Sequence, residues 1–307
     1  MKTNDIEKFG QNIESKIFFD YDVKHLNWFN IGGKTQIFFK PESLNDLKEF
    51  LKLYKKRGKI FILGAGSNIL FSDKLFEGVI IKLGKNFNKI SKLAEDKIIA
   101  GSIVIDRVLS DFARENAISG FEFLSCIPGT VGGGLRMNSG CYGSEFKDIV
   151  LSVQAIDYKG NIITIPSKKI KFNYRESDLP DDLVFLSASF LGKKSNTQDI
   201  YNKIQKLKKE KEISQPSKIK TGGSTFKNPI NYTKHKVWEL IKQSVPENTK
   251  FGDAFISSHH ANFFVNKKEA KFHDMMMLID YVKERVKKKF NINLELEIKL
   301  IGFKEKN

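Results

Sequence analysis

The chain has 307 residues, of which 40% are hydrophobic and 29% are charged, as in ordinary globular proteins. These proportions exclude an intrinsically disordered chain, a collagen-like chain and a coiled-coil rod. The formal net charge of +16 is compatible with an anionic partner, but we attribute most of it to solvated helix faces such as residues 206–212, where lysine and glutamate are mixed.

We expect no targeting signal in the N-terminal residues. Residues 1–20 are charged and lack an apolar stretch of signal-peptide length, and no run approaches the roughly 18 apolar residues of a spanning helix. The two cysteines, Cys126 and Cys141, have neither the number nor the spacing of a zinc site or a disulfide framework. We predict a soluble cytoplasmic protein with no metal and no membrane partner, and a loose, partly helical lead-in over the first 20 residues.

The first half of the chain mixes helices and strands. A helix is predicted over residues 43–57, because Ser43 can cap it, Leu44, Leu47, Leu51 and Tyr54 form one face, and Gly58 can end it. Apolar runs predict strands over residues 59–63, 79–83 and 98–104, and a helix is expected over 106–117.

The second half adds a β-hairpin and two long helices. We predict the hairpin over residues 149–165, a strand over 183–191, a charged helix ending near 213, an amphipathic helix over 272–289 and a final strand over 294–301. Hairpins among mixed helices and strands predict an α+β fold and argue against a regular parallel α/β fold.

Two glycine-rich segments indicate ligand binding. Residues 64–68, Gly-Ala-Gly-Ser-Asn, follow a predicted strand, and a Gly-x-Gly turn lets the backbone approach a phosphate. The segment lacks the third glycine of a dinucleotide fold and the Gly-Lys-Ser/Thr of a P-loop. Residues 127–143 hold six glycines among apolar residues. This mixture favours an ordered loop around a large flat ligand, the alternative being a tightly packed turn.

Four further features have both structural and functional interpretations. Ser224, in the segment 222–229, can be an exposed acid, a phosphate ligand or a helix cap, and no nucleophile elbow surrounds it. Tyr174 and Arg175 lie in a polar loop. The histidine pair at 259–260 has no further ligand at metal spacing. Glu295 and Glu297 share a face of the predicted final strand, where exposed carboxylates are common.

Taken together, these segments resemble the UDP-N-acetylenolpyruvoylglucosamine reductase family, in order from residue 27 to residue 302. The most specific matches are IPGTVGG with MNSGCYG, Tyr174-Arg175-Glu176-Ser177 and GGSTFKNP. Longer members carry a tyrosine-bearing loop after the Tyr-Arg motif. Here the strand at 183–191 follows too soon for that loop, so the chain resembles the second, shorter type.

The resemblance implies an α+β fold with two domains. Residues 1–195 would form an FAD-binding domain of the vanillyl-alcohol-oxidase type, with two subdomains that divide near residue 84. Residues 196–307 would form a smaller C-terminal domain that binds the substrate. The lysine- and asparagine-rich residues 192–199 are the boundary that the sequence favours.

The resemblance also implies the reaction. NADPH would reduce FAD, and flavin N5 would deliver a hydride to UDP-N-acetylglucosamine enolpyruvate, giving UDP-N-acetylmuramate for peptidoglycan synthesis. By motif position, Ser224 would donate the proton, Arg175 would polarise the substrate carboxylate, and Glu297 would be the carboxylate partner. The fixed fork of a guanidinium suits two carboxylate oxygens.

The remaining site residues are carried over in the same way. Tyr174, Lys211, Asn228 and His260 fall where relatives contact substrate, and Lys211 would replace a basic residue that is Ser214 here. The expected FAD contacts are Gly64, Ala65, Gly66, Ser67, Asn68, Pro128, Gly129, Thr130, Gly132, Gly133, Asn138 and Gly140.

Other interpretations remain open at this point. A flavoenzyme of the same fold acting on another substrate would not need Ser224, Arg175 and Glu297 together. A nucleic-acid-binding protein is supported by net charge alone, without a recognisable binding motif, and we expect no nucleic-acid partner. Cys126 and Cys141 replace the usual glycine and alanine, and either is a candidate for a covalent flavin link. We predict a monomer.

Overall fold

The structure is a computed structural model that describes residues 4–54 and 57–303. Its α-helices are α1 (Asn4–Gln11), α2 (Leu44–Tyr54), α3 (Asp106–Glu115), α4 (Val131–Met137), α5 (Thr197–Ser214), α6 (Val237–Ser244) and α7 (Phe272–Phe290). Its strands are β1 (Lys16–Asp22), β2 (Lys34–Lys40), β3 (Lys59–Ile62), β4 (Ile69–Phe71), β5 (Phe76–Ile81), β6 (Ile90–Ala94), β7 (Lys97–Gly101), β8 (Ile118–Ser119), β9 (Gly140–Cys141), β10 (Ser144–Glu145), β11 (Val150–Asp157), β12 (Ile162–Pro166), β13 (Phe172–Asn173), β14 (Glu176–Ser177), β15 (Leu183–Leu191), β16 (Lys193–Lys194), β17 (Lys250–Phe251), β18 (Ala254–Ile256), β19 (Phe264–Asn266) and β20 (Lys299–Ile301).

The described residues form two compact units made of interleaved chain segments. Among the described residues, the first unit holds 4–19, 37–54, 57–65 and 78–211, and the second holds 20–36, 66–77 and 212–303. The predicted domain boundary at 195 and the split near 84 stay predictions, since these units are not contiguous stretches of chain. No helix in the described residues is both long and apolar enough to cross a membrane.

The first unit contains a five-stranded antiparallel sheet and most of a four-stranded sheet. The five strands lie in the order β12-β11-β15-β7-β6, and the four in the order β1-β2-β5-β3, where β3 and β5 are parallel. Leu183, Phe185 and Ala188 of β15 pack into one core, while Val184 and Leu186 pack into another. Burial on both faces explains why β15 appears in the sequence as a continuous apolar run.

The second unit is built around α7. Its Met275, Ile279, Val282 and Val286 are fully buried and pack with α6 in one core, as the helical periodicity predicts. A three-stranded sheet, β17-β18-β19, belongs to the same unit, and β20 pairs in parallel with β4. Regular strand structure in the predicted segment 294–301 covers Lys299–Ile301, and Leu296 makes an isolated bridge to Phe226.

Most predicted elements are confirmed within a few residues. The Ser43 hydroxyl accepts a hydrogen bond from the Asp46 N–H at the start of α2, so the predicted cap is present. The end of this predicted helix falls partly on residues 55–56, outside the described residues. The hairpin around residues 159–161 is β11 and β12, and the strand over 183–191 is β15.

Two predictions were wrong in part. The lead-in contains β1 as well as α1; this strand buries few side chains, so it leaves no clear hydrophobic alternation. The glycine-rich segment 127–143 contains α4, although three consecutive glycines weaken a helix. Val131 and Leu135 are buried in the core, and Gly134 packs against the Phe146 ring. Tertiary packing therefore overrides the low helix propensity.

Candidate functional site

The two units divide the residues that the sequence singles out. The first unit holds Gly64, Ala65, Pro128, Gly129, Thr130, Gly132, Gly133, Asn138, Gly140, Tyr174, Arg175 and Lys211. The second holds Gly66, Ser67, Asn68, Ser224, Asn228, His260 and Glu297.

In the first unit, the two glycine-rich segments approach one another closely. A Cβ atom added at Gly64 would lie 2.7 Å from Thr130 Oγ1. One added at Gly129 would lie 2.6 Å from Asp106 Oδ2. A side chain at either position would displace its neighbour, so glycine is required by the close approach and not by backbone conformation.

Buried polar atoms without a partner cluster in the same region. Within the described residues, the Oγ1 atom of Thr130, the Oγ atom of Ser102 and both carboxyl oxygens of Asp106 are buried and make no hydrogen bond. The Oγ atoms of Ser110 and Ser139 are also buried and make no hydrogen bond. Because such a group costs about 1–3 kcal/mol when unsatisfied, a concentration of them indicates a place completed by a ligand or by water.

Asp106 is the most unusual of these groups. It begins α3 and is fully buried, and burial raises its pKa well above the ordinary range of a carboxyl group. Burial therefore favours the protonated form of its side chain, which can donate a hydrogen bond. The hydroxyls of Ser102 and Thr130 are also donors, so the cluster suits a ligand rich in acceptor oxygens and nitrogens.

Arg175 lies at the tip of a short hairpin formed by β13 and β14. Its backbone is left-handed, with φ +61°, which is uncommon for a residue other than glycine. Its guanidinium carbon lies 5.1 Å from the centre of the Tyr174 ring, so Tyr174 supports the cation through its π face.

Asn138 links this hairpin to α4. Its side-chain nitrogen donates to the Asn173 carbonyl at 3.0 Å and to Glu145 Oε2 at 2.9 Å, and its Oδ1 accepts from the Lys147 N–H at 3.0 Å. The structure thus commits this buried side chain to positioning the base of the hairpin. A contact between Asn138 and a cofactor stays a prediction.

Lys211 lies near the end of α5. Its ammonium group donates to the Cys126 carbonyl at 2.8 Å. This bond places a positive charge beside the glycine-rich segment of the same unit. The predicted contact between Lys211 and a substrate diphosphate is not addressed by this bond.

In the second unit, Ser224 lies in a segment that is fixed on both sides. Ser224 forms an antiparallel bridge with Phe263, and the Thr225 carbonyl accepts from the Glu297 N–H at 2.9 Å. Ser224 is partly buried and starts no helix, so the capping alternative is excluded. These bonds bring the backbones of Ser224 and Glu297 close together. The roles predicted for the two residues stay predictions.

Asn68 joins this group through Glu297. The side-chain nitrogen of Asn68 donates to the Glu297 carbonyl at 3.0 Å, and its own carbonyl accepts from the Lys299 N–H at 2.9 Å. Glu295, by contrast, is exposed, and its carboxylate lies 3.5 Å from the Lys227 ammonium. The two acidic residues, which the sequence placed on one face, therefore have different surroundings.

His260 and Asn228 have partners that define their chemistry. The Asn262 N–H donates to His260 Nδ1 at 3.2 Å, and burial lowers the pKa of the imidazole. His260 is therefore neutral near pH 7, with its proton on Nε2 as a donor. Asn228 Oδ1 accepts from the Val237 N–H at 3.0 Å, so Asn228 satisfies the first turn of α6.

Sequence reasoning missed Asn262 in the second unit and Ser102 and Asp106 in the first. Asn262 is buried, and its side chain accepts from the Phe226 N–H at 3.0 Å and donates to the Phe226 carbonyl at 2.9 Å. The sequence signal was an amide directly before the apolar run 263–265. The neighbouring histidine pair points to a metal site instead, so this amide does not stand out in the sequence. The described residues contain no group of three or more potential metal ligands.

Comparison with known families matches both parts of the chain. The FAD binding domain family matches residues 35–166, and the UDP-N-acetylenolpyruvoylglucosamine reductase C-terminal domain family matches residues 215–301. The fold class predicted from the sequence, an FAD-binding part followed by a C-terminal domain, is confirmed.

Individual relatives carry the same name. A UDP-N-acetylenolpyruvoylglucosamine reductase of Pelagibacter ubique (strain HTCC1062) is 58% identical, over 98% of this chain and 100% of the relative. One of Rickettsia conorii (strain ATCC VR-613 / Malish 7) is 44% identical, over 92% and 95%. The crystal structure of the reductase from Thermus caldophilus has a TM-score of 0.78 at 25% identity, covering 94% of this chain and 99% of that one. The chain belongs to the UDP-N-acetylenolpyruvoylglucosamine reductase family.

Proposed function

We propose that this protein uses NADPH and bound FAD to reduce UDP-N-acetylglucosamine enolpyruvate to UDP-N-acetylmuramate. The observation that carries the proposal is the fixed segment at residues 222–228, which holds the backbone of Ser224 beside that of Glu297. If the motif were kept only through common descent, without a function, the residues on both sides of Ser224 would not need to be held by hydrogen bonds.

The first unit supplies the proposed FAD contacts. Gly64 and Gly129 let the two segments approach one another closely. Thr130, Ser102 and the protonated form of Asp106, which burial favours, offer buried donors without protein partners. FAD carries phosphate, carbonyl and ring-nitrogen acceptors, so the residues present fit it. When bound, FAD would accept two electrons from NADPH and pass them to the substrate double bond.

Ser224 is the proposed proton donor to the substrate carbon next to the carboxylate. A neutral hydroxyl is a weak acid, so its contribution depends on placement against a strongly basic carbon. The bonds on either side of Ser224 support this role, because they fix its backbone before substrate arrives. Neutral His260 adds a donor at Nε2 to the same unit, which suits an oxygen of a sugar nucleotide.

Arg175 is the proposed ligand of the substrate carboxylate. Its guanidinium presents two parallel N–H donors, and the stack on Tyr174 limits its freedom. The left-handed backbone at Arg175 is the kind of conformation that persists at functional sites when surrounding structure holds it. Asn138 provides this support at the base of the hairpin.

The remaining functional assignments follow from the proposed reaction. Lys211 and Asn228 would contact the substrate, and Glu297 would be the partner of the substrate carboxylate. A monomer in the cytoplasm, taking part in cell-wall synthesis and through it in cell shape and division, stays part of the proposal. So does the preference for NADPH.

An anaerobic absorbance titration tests the reaction. We expect the purified protein to be yellow, to lose its visible absorbance on addition of NADPH, and to regain it on addition of UDP-N-acetylglucosamine enolpyruvate. Bleaching without recovery would favour a flavoenzyme acting on another substrate. A protein that cannot take up FAD would refute the proposal altogether.

Arg175→Lys tests the carboxylate ligand, because an ammonium cannot reproduce the two parallel donors. We expect bleaching by NADPH to continue and recovery by substrate to slow by about tenfold or more. Arg107→Lys, an exposed position of the same unit, is the matched control. If Arg175→Lys loses FAD instead, Arg175 has a structural role.

A further inference from the structure

An exposed tryptophan stands beside His260 in the second unit. Trp238 lies in the first turn of α6, and 38% of its surface is exposed. Val237, Leu240 and Ile241 of the same helix are buried in the core of the unit, so the helix is firmly anchored. The indole ring is therefore held at the surface by a helix whose position is fixed.

The ring of Trp238 belongs to a row of aromatic rings that leads to Ser224. Its centre lies 6.1 Å from the centre of the His260 ring, which in turn lies 4.8 Å from the centre of the Phe263 ring. Phe263 stands directly opposite Ser224 in their antiparallel bridge, and opposite residues of such a pair have their side chains on the same face. The row therefore starts on the face of the proposed proton donor and ends at an exposed ring.

The turn before α6 is basic. Lys234, His235 and Lys236 are consecutive and exposed, and the sequence has no acidic residue between Pro229 and Trp238. One exposed apolar side chain needs no explanation by itself. An exposed aromatic ring beside positive charge suits a flat ligand that carries phosphate, as a nucleotide does, and argues against a purely apolar partner.

We propose that Trp238 is the platform on which the uracil base of the substrate stacks, while the enolpyruvyl end reaches Ser224. The inference rests on the proposed function, in which no residue is yet assigned to the base. Stacking on an aromatic ring accepts any base, because every base has a π face. Trp238 would therefore select sugar nucleotides over sugar phosphates that lack a base.

A structural role is the alternative, in which Trp238 only covers the partly buried imidazole of His260. Substitutions at position 238 distinguish the two roles. Leucine can also cover the imidazole, but it has no π face on which a base can stack. Phenylalanine keeps a smaller π face.

Tryptophan fluorescence of the FAD-loaded protein tests contact with the base. The chain has two tryptophans, Trp28 and Trp238, so Trp28→Phe leaves the emission of Trp238 alone. UDP, which has no redox chemistry, should quench this emission, whereas inorganic pyrophosphate, which lacks the base, should not. In Trp238→Phe, UDP should leave the emission of Trp28 unchanged. Absence of quenching by UDP in Trp28→Phe would overturn the proposal.

Steady-state kinetics tests the consequence for the substrate. Trp238→Ala and Trp238→Leu should each raise the KM for UDP-N-acetylglucosamine enolpyruvate about tenfold with little change in kcat, because a stacked base holds substrate and transition state equally. Trp238→Phe should recover most of the loss. Met277→Ala, which truncates an exposed apolar side chain on α7 of the same unit, is the control and should leave KM unchanged.

The two experiments separate this inference from the proposed function. Quenching of Trp238 by UDP, without recovery of flavin absorbance on addition of the enolpyruvyl substrate, would refute the proposed reaction and support the platform. Recovery of flavin absorbance, with the KM of Trp238→Leu equal to that of the parent, would support the reaction and refute the platform, since cover for His260 would then be sufficient.

Discussion

The cofactor region of the first unit and the serine segment of the second unit are stabilised in different ways. Between Ser102 and Ser139, five residues carry buried polar atoms without a partner. Between Gly222 and Asn228, the backbone is held by Asn262 and Glu297 of the same unit, and the unpartnered atom is Thr225 Oγ1. The first region therefore leaves buried polar atoms that a ligand or water can pair, whereas hydrogen bonds within the second unit hold the backbone of the second region.

This difference separates two requirements of the proposed reaction. A cofactor that stays bound can supply hydrogen bonds that the chain omits, and the chain gains affinity by leaving those atoms unpaired. A serine that must meet a transient substrate has to be placed beforehand, because its value lies in orientation. Substitutions in the two regions should therefore have different effects. Those in the first region should weaken FAD binding, whereas those in the second should slow the reaction with substrate and leave FAD binding unchanged.

The largest effect is expected from Ser224→Ala. The change removes the proposed proton donor and leaves the backbone bonds of the segment in place, so FAD retention and bleaching by NADPH should continue. Flavin reoxidation by the enolpyruvyl substrate should slow by about 10²–10⁴-fold, the usual contribution of a positioned acid. Anaerobic stopped-flow absorbance measures both half-reactions separately.

Ser217→Ala is the control for this experiment, since Ser217 is exposed in the same unit. It should leave both half-reactions unchanged. Reoxidation of Ser224→Ala at the rate of the unsubstituted protein would remove Ser224 as the donor. Loss of FAD from Ser224→Ala would contradict the expectation that only substitutions in the first region affect FAD binding.

Asn262→Ala should destabilise the second unit. The variant leaves the buried N–H and carbonyl of Phe226 without partners, which we expect to cost about 2–4 kcal/mol in the free energy of unfolding. Urea unfolding of the FAD-free protein measures it. The exposed Asn293→Ala should change stability by less than about 0.5 kcal/mol. Equal effects of the two variants would show that the segment does not depend on Asn262.

Gly133→Ala tests whether glycine is needed at this position for the stability of the chain or for the binding of FAD. A Cβ at Gly133 would lie 3.6 Å from Thr130 Oγ1, an ordinary contact, and alanine favours the helix in which Gly133 lies. The FAD-free variant should therefore be as stable as the parent. If FAD occupies the space at Gly133, its dissociation constant should rise about tenfold, or about 1.4 kcal/mol.

Fluorescence titration of FAD measures this constant. Gly10→Ala, at another helix glycine with ordinary space around it, should leave FAD binding unchanged. Unaltered binding in Gly133→Ala would place the cofactor away from this helix face. Lower stability of the FAD-free variant would mean that the chain itself requires the glycine.

The fold was predictable where burial leaves a pattern in the sequence. The amphipathic face of α7 and the apolar run of β15 follow directly from what those elements bury. The edge strand β1 buries little and left no pattern. Helix α4 has unfavourable residues that tertiary contacts overcome, and such contacts are not visible in local sequence.

The site was predictable to the extent that its motifs are contiguous. Ser224 and Arg175 stand in specific motifs, so the resemblance alone is enough to propose roles for them. Asn262 and Asp106 act through partners far along the chain or through burial, and neither property belongs to a short motif. Their roles required the structure, since a buried amide and a surface amide are the same letter in the sequence.

The last prediction concerns Asp106→Asn, for which we expect a change in the pH dependence of stability. Burial raises the pKa of Asp106 in the folded chain, whereas the unfolded value is about 3.9. The folded state therefore holds this proton to higher pH, and its contribution to stability declines as pH rises from about 4 through the folded pKa. An amide does not titrate, so the stability of the variant relative to the parent should increase with pH, by at most about 1.4 kcal/mol per pH unit. Urea unfolding from pH 5 to 8 measures this, with Asp280→Asn on the exposed side of α7 as the control. Parallel stability curves for Asp106→Asn and the parent would mean that the carboxyl is charged in the folded state, and the cofactor region would then lack one of its three neutral donors.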